Sequence, residues 1–344
     1  MTLRRRTLLT GLVGAAATGL AGCATGPARA QLDTAAPLPT TVAADTELVV
    51  AIHATQIALQ ASGQLAALPF RVPQWPNLTA GPDVIQGFRA RSVDLASNAG
   101  IPPIQARAIG YDAKIVAVQT KKVPQYTYAT APGSVIAGLG DLRGRKIGFS
   151  QGQAQGLVVL RTLKEQGLTP KDVRLVPLSS TKFLVALQSR QIDIAPLAEP
   201  SLTKYVGEYG KDGARAVPMT AVDYLTILWA PSEVLADDRK LAAVRAFIPF
   251  WAKSKVWAYE NKDSWIDAYY VKDQGVTAAD GKRILATEDK PAFPTNWDKA
   301  QAWQQESADL LAEGGYIKPI KAADLFDRRF QSIAADSVPA AYRE

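Results

Sequence analysis

The chain has 344 residues and a formal net charge of +7, with only one histidine and one cysteine. These counts exclude a disulfide within one molecule and a zinc site of the usual Cys/His type. The basic excess is small and not clustered, which argues against nucleic-acid binding. No phosphate-cradling glycine motif occurs. We therefore expect neither a cofactor nor a metal ion.

Residues 1–23 carry the pattern of an export signal. Three arginines at 4–6 precede an apolar run at 11–19, which is too short to span a bilayer. The paired arginines followed by x-Leu-Leu resemble the twin-arginine export motif. The run ends in Leu20–Cys23, which resembles the lipobox of bacterial lipoproteins, where the cysteine carries the lipid. We expect an export signal over 1–22, a lipid anchor on Cys23 and a flexible tether over 23–45, which together place the protein outside the cell membrane.

From residue 47 onward, short β-rich runs alternate with helical patterns, which is typical of an α/β protein with largely parallel sheets. The same order of elements occurs twice. The first series is a strand at 47–52, a helix at 57–67, a strand at 70–75, a helix at 83–91 and a strand at 94–97; the second is a strand at 146–149, a helix at 154–166, a strand at 173–178, a helix at 181–190 and a strand at 193–196.

Two hexapeptides strengthen the case for a repeated plan. Residues 91–96 (RSVDLA) match residues 190–195 (RQIDIA) closely in residue type. Chance similarity between βαβ units is the alternative. We expect two lobes joined by a hinge, with lobe I formed by 46–125 and 225–344 and lobe II formed by 126–224. The last part of lobe I is predicted to be helical, at 239–260, 264–273, 278–286 and 297–312.

Polar, glycine-bearing loops follow the predicted strands of both series. In open α/β sheets, ligands bind beyond the carboxyl ends of the strands, and the helix that follows offers free N–H groups to an anion. Capping of those helices is the alternative role for each loop. The candidate ligand-binding residues are His53, Gln56, Thr79, Gly81, Asn98, Ile101, Gln151, Gln153, Gln155, Glu199 and Tyr224.

These loops resemble those of the extracytoplasmic substrate-binding proteins of the aliphatic-sulfonate, taurine and nitrate importers. The resemblance is carried by 80–82, 91–94, 100–104 and by 141–148 (DLRGRKIG), which looks like that family's approach to its second lobe. It implies a periplasmic-binding-protein fold of type II and a monomer that delivers a small, anionic ligand to the permease and ATPase subunits of an ABC importer.

The chain departs from the family pattern at two places. Residues 198–200 read Ala-Glu-Pro where the family often has Trp-Asp-Pro, and glutamines at 151, 153 and 155 partly replace anion-binding serines. Both departures leave room for a larger ligand, such as a thiamine precursor or a flavin. A ligand-sensing protein is a further alternative.

Catalysis is the remaining alternative. Related enzymes, a desulfinase and a thiamine-pyrimidine synthase, rely on cysteines within the fold. Cys23 lies ahead of the fold here, and we find no partner for His53. We therefore expect a binding protein rather than an enzyme.

Overall fold

The computed structural model describes residues 32–344, so the predicted export signal, Cys23 and the first part of the predicted tether lie outside the described residues. The described strands form two separate sheets, one in each lobe. In chain order they are β1 (Val50–Ala51), β2 (Leu95–Ala99), β3 (Ala113–Thr120), β4 (Thr127–Thr130), β5 (Lys146–Phe149), β6 (Arg174–Pro177), β7 (Ile194–Leu197), β8 (Ala216–Val217) and β9 (Leu225–Pro231).

The sheet of lobe I has the strand order β1-β2-β9-β3, and the sheet of lobe II has the order β6-β5-β7-β4-β8. β1 and β2 run parallel, as do β5, β6 and β7. One strand in each lobe is antiparallel to its neighbours: β9 in lobe I and β4 in lobe II. Each of these strands is the first after the chain enters its lobe from the other lobe. The chain crosses between the lobes twice, from β3 to β4 and from β8 to β9. The predicted two-lobed α/β fold is confirmed.

Helices pack against the strands of both sheets. The 23-residue helix α8 (Asp238–Glu260) is held at its start by Asp237, whose carboxylate accepts from the backbone N–H groups of Arg239 and Lys240. Its inner face packs Phe247 and Trp251, both fully buried, into the core of lobe I. The α-helices are α1 (His53–Ala61), α2 (Gly81–Arg89), α3 (Ile101–Ala108), α4 (Ala154–Glu165), α5 (Phe183–Gln188), α6 (Ser201–Tyr209), α7 (Ser232–Leu235), α8 (Asp238–Glu260), α9 (Lys262–Trp265), α10 (Ala278–Leu285), α11 (Asp298–Glu313) and α12 (Ile333–Asp336), with a π-helix at Ile266–Asp273.

Two predicted segments differ from the structure. The predicted strand at 70–75 is not formed as a strand, although Arg71 bridges Glu47 and the backbones of Arg71 and Gln74 hydrogen-bond with residues 46–50. Pro73 and Pro76 have no N–H to donate, so these hydrogen bonds do not extend into a continuous strand ladder.

The described part of the predicted tether also differs from the expectation of a free linker. Leu32, Leu38 and Val42 pack against the core of lobe I. The Arg329 guanidinium donates to the carbonyl oxygens of Asp33 and Ala36 at 2.8 and 3.2 Å. These apolar side chains pack against the apolar surface of lobe I, so any free linker ends before residue 32. Within residues 32–344 no helix is both long and apolar enough to cross a membrane.

Candidate functional site

A cleft of about 660 Å³ lies where strands of the two sheets end. Lobe I contributes the segment after β1, the loop before α2 and the end of β2; lobe II contributes the start of α4, the turn at 180–184 and the segment after β7. The polar lining residues are His53, Asn77, Thr79, Ser97, Asn98, Lys121, Tyr126, Gln155, Ser180, Thr181, Glu199, Ser201, Thr226, Lys255, Tyr269 and Gln274.

The structure places five of the eleven candidate residues in the cleft lining: His53, Thr79, Asn98, Gln155 and Glu199. The other six lie outside the cleft lining. These six are Gln56, Gly81, Ile101, Gln151, Gln153 and Tyr224.

The glutamines at 151 and 153 make structural hydrogen bonds, Gln153 within lobe II and Gln151 between the lobes. Gln153 is 4% exposed, and its Oε1 accepts from the backbone N–H of Ser180 at 2.9 Å. Gln151 donates its Nε2 to the carbonyl oxygen of Tyr316 at 2.8 Å, which joins lobe II to lobe I. Of the three glutamines only Gln155, two residues after Gln153, lines the cleft.

Tyr224 lies behind the cleft, at the return crossing. Its ring stacks on Trp303 with centroids 4.7 Å apart and planes 7° apart. The Arg161 guanidinium lies 4.4 Å from the Tyr224 ring centroid. The backbone of Tyr224 has a positive φ of 59°, which is uncommon for a residue other than glycine.

Two further candidates, Ile101 and Gly81, are placed by packing. Ile101 is 1% exposed and belongs to the core of lobe I. A Cβ at Gly81 would lie 2.4 Å from Cγ of Pro102, so glycine lets α2 approach α3. Gln56 lies on α1 outside the cleft lining.

Lys255 is the most informative residue that sequence analysis did not find. It projects from α8 into the cleft and is partly buried. No carboxylate of residues 32–344 lies within 4.0 Å of its ammonium. Partial burial lowers the pKa of Lys255 below its ordinary 10.5, while Glu288 raises it and Lys121 lowers it. An ammonium held in this way favours an incoming anion.

The other charged groups of the cleft already have partners. Lys121 is buried and forms an ion pair with the fully buried carboxylate of Asp223 at 2.8 Å. Glu199 accepts from the backbone N–H and hydroxyl of Thr203, and its Oε1 lies 3.6 Å from Nη1 of Arg283. Among residues 32–344, Lys255 is therefore the charged group of the lining without an ion pair, and only the more distant carboxylate of Glu288 offsets its charge. The cleft favours a negative ligand.

Helix N-termini add to this preference. The lining includes the first residue of α1, the second residue of α4 and the first residue of α6, which are His53, Gln155 and Ser201. The first N–H groups of a helix have no partner within the helix, and the helix dipole is positive at that end. Three such ends opening on one cleft favour an anion there.

His53 has a partner that sequence analysis did not find. Its Nε2 lies 2.7 Å from Oδ1 of Asp273, which is 220 residues away in the chain. The imidazole is thus fixed at the mouth of α1. A histidine–carboxylate pair is also found in catalytic triads, where the histidine activates a nucleophilic side chain.

Residues 148–152 read Gly-Phe-Ser-Gln-Gly, the spacing of a nucleophile elbow, which sequence analysis overlooked. Ser150 does stand between strand β5 and helix α4. However, it is 3% exposed, its hydroxyl donates to Oε1 of Gln153, and it does not line the cleft. The positive-φ residues with side chains among 32–344 are Arg91, Arg190 and Tyr224, so Ser150 lacks the strained backbone of an elbow. The motif therefore acts here as a turn.

No group of three or more His, Cys, Asp or Glu side chains within residues 32–344 is placed to hold an ion.

Comparison with known proteins identifies the family. The family described as NMT1/THI5 like matches residues 78–264. A protein of Escherichia coli (strain K12) described as binding aliphatic sulfonates is 31% identical over 266 residues, covering 75% of this chain and 79% of that protein. The chain belongs to the NMT1/THI5-like family.

Solved structures show the same fold as this NMT1/THI5-like chain. The alkanesulfonate-binding protein SsuA from Xanthomonas axonopodis pv. citri, bound to MOPS, is 20% identical with a TM-score of 0.71, covering 85% of this chain and 99% of that one. The aliphatic sulphonate binding protein SsuA from Escherichia coli is 21% identical with a TM-score of 0.65, covering 81% and 91%. The desulfurization enzyme DSZB, 16% identical with a TM-score of 0.56, also has this fold, so the fold alone does not separate binding from catalysis.

Proposed function

We propose that this protein is the extracytoplasmic substrate-binding component of an ABC importer. It captures a small organic anion of the sulfonate type between its lobes and delivers it to the permease. The observation that carries the proposal is the unpaired ammonium of Lys255 in a cleft lined by both lobes. The 31% identity to a protein described as binding aliphatic sulfonates supports sulfonate as the head group.

The mechanism is closure of the lobes on the ligand. An anion beside Lys255 meets the start of α1 in lobe I and Gln155 at the start of α4 in lobe II. A ligand that contacts both lobes binds the closed state more tightly than the open state and shifts the equilibrium towards closure. Arg283 already reaches across from α10 to Glu199 and Thr203 of lobe II, so the closed state also has a contact of its own.

We propose that the ligand leaves the cleft chemically unchanged. The single cysteine is residue 23, ahead of the fold. Ser150 is turned into its own loop, and His53 is bonded to Asp273 rather than to a nucleophile. A product released from any bound sulfonate would contradict this assignment.

Export and lipid anchoring are proposed from the N-terminal residues. A lipid on Cys23 and a short linker would hold lobe I close to the membrane, because residues 32–45 already lie against that lobe. Replacing Cys23→Ala is expected to release the protein from the membrane fraction or to leave the signal uncut. Unchanged retention with normal cleavage would contradict lipidation.

Thermal unfolding of the signal-free protein tests the proposed ligand class. Ethanesulfonate is compared with ethyl methyl sulfone, which has a similar shape and no charge. A ligand that binds only the folded state adds about 2.7 kcal/mol of stability at a hundredfold excess over its Kd. We expect the melting temperature to rise with ethanesulfonate and to stay constant with the sulfone. Equal shifts, or no shift with any sulfonate, would overturn the proposal.

A further inference from the structure

A second cavity opens from the cleft into lobe I. This side pocket has a volume of about 230 Å³ and shares five lining residues with the cleft. Lys255 and Tyr269 line both spaces and so lie at their junction. The shared residues are Ala54, Lys121, Thr226, Lys255 and Tyr269.

The wall of the side pocket is rich in aromatic rings. Tyr259, Trp265, Tyr269 and Tyr270 all line it. The rings of Trp265 and Tyr269 are stacked, with centroids 4.6 Å apart and planes 2° apart. Tyr269 also meets Tyr270 edge-on at 5.1 Å. Such an assembly presents ring faces and edges that favour another aromatic group.

A fixed apolar cluster supports this wall. Trp265, Tyr270, Ile284 and Leu285 are buried together in a separate core cluster at the end of lobe I. The rings are therefore held in place before any ligand arrives, which lowers the entropic cost of binding.

The size of the side pocket suits one ring. The side pocket, at about 230 Å³, is larger than the cavity of about 150 Å³ that takes up benzene in another protein. Unlike that cavity it also has a polar wall, formed by Gln119, Gln125, Glu288 and Asp289. An anionic head beside Lys255 would leave the rest of the ligand free to extend past Tyr269 into this space.

We propose that the side pocket binds the organic part of the ligand and that the preferred ligand is an aromatic sulfonate. The head group is held at Lys255 and the ring lies among Tyr259, Trp265 and Tyr269. This inference rests on the proposed function, because it assigns the class of anion that the same cleft captures.

Calorimetric titration of the signal-free protein with three sulfonates tests the assignment. Methanesulfonate reports on the head-group site alone, and benzenesulfonate and cyclohexanesulfonate differ in aromaticity at nearly equal size. We expect benzenesulfonate to bind about two- to tenfold more tightly than cyclohexanesulfonate, the advantage of about 0.5–1.5 kcal/mol that an aromatic pair adds. We also expect both ring compounds to bind more tightly than methanesulfonate.

A variant that fills the side pocket gives an independent test. Ala258 lines the side pocket but not the cleft, so Ala258→Phe places a ring in the space reserved for the ligand. We expect a loss of at least tenfold in benzenesulfonate affinity with methanesulfonate affinity unchanged. The matched control is Ala286→Phe, which adds the same bulk at an exposed position that lines neither cavity.

The outcomes separate the two proposals. Equal or tighter binding of cyclohexanesulfonate overturns the aromatic assignment, as does full benzenesulfonate affinity in a folded Ala258→Phe variant. If that variant does not fold, the comparison of the two ring compounds on the unaltered protein decides alone. Absence of binding by all three sulfonates overturns the proposed function itself.

Discussion

Asp94 and Asp193 hold equivalent positions in the two lobes. Oδ2 of Asp94 accepts from the backbone N–H of Val49 at 2.9 Å, and Oδ2 of Asp193 accepts from that of Lys146 at 2.8 Å. Each aspartate follows by three residues an arginine in the left-handed backbone region, Arg91 at φ 55° and Arg190 at φ 56°. The similar hexapeptides thus perform the same turn from a helix into a central strand.

This relationship predicts a local loss of stability in lobe II. Asp193→Ala removes a hydrogen bond made by a charged group and leaves the N–H of Lys146 without its partner. We expect the free energy of unfolding to fall by about 1.5–3 kcal/mol, measured by urea denaturation. The control is Asp336→Ala at an exposed position, where a change within about 0.5 kcal/mol is expected. Equal effects of the two substitutions would contradict the assigned role.

Substitutions at Thr79 and Gln153 distinguish a residue that contacts the ligand from one that supports the fold. Thr79 is exposed in the cleft lining, so Thr79→Ala should weaken anion binding and leave the melting temperature unchanged. Gln153 is buried and holds the N–H of Ser180, so Gln153→Ala should lower the free energy of unfolding by about 1–3 kcal/mol. Melting temperature and affinity are measured for both variants. The reverse pattern would show that Thr79 is the structural residue.

The pair of Arg283 and Glu199 predicts a small effect on closure. The Arg283 side chain is exposed, and exposed ion pairs contribute about 0–1 kcal/mol. Arg283→Ala should therefore weaken ligand affinity by at most about fivefold, with a larger radius of gyration of the ligand-free protein in small-angle X-ray scattering. Arg328→Ala removes an exposed pair within lobe I and should change neither quantity. A smaller radius for Arg283→Ala would be incompatible with a closing contact.

The lowered pKa of Lys255 predicts that anion affinity falls at alkaline pH. Burial makes the folded protein release this proton below pH 10.5, and the neutral amine no longer attracts an anion. Between the lowered value and 10.5 the unfolded chain binds more protons, so folding stability rises with pH while affinity falls. The pKa of Tyr269 is raised to about 12, so this ring stays neutral over that range. Titration of ethanesulfonate from pH 7 to 10.5 should show the loss in the natural protein but not in Lys255→Arg, because arginine stays charged.

The alternation of elements and the ends of the strands could be predicted from sequence because hydrophobic periodicity is local. The direction of a side chain at a helix entrance could not: Gln151, Gln153 and Gln155 alternate through the turn that starts α4, and only Gln155 of the three lines the cleft. Lys255 lies in a long helix whose pattern predicts a packing role, and nothing nearby in sequence shows that α8 packs against α1. Lys121 could have been found from sequence, because a lysine directly after the buried strand β3 is a recognisable signal of a charged group at a strand end.

The central claim is that both lobes hold an anion whose charge is met by Lys255, and calorimetric titration with ethanesulfonate tests it most directly. The natural protein is compared with Lys255→Met of lobe I and Gln155→Ala of lobe II. The matched control is Lys253→Met, two residues away on the exposed face of α8. We predict a loss of about ten- to hundredfold for Lys255→Met, a smaller loss for Gln155→Ala and none for Lys253→Met. Equal affinity in the natural protein and Lys255→Met would contradict the account.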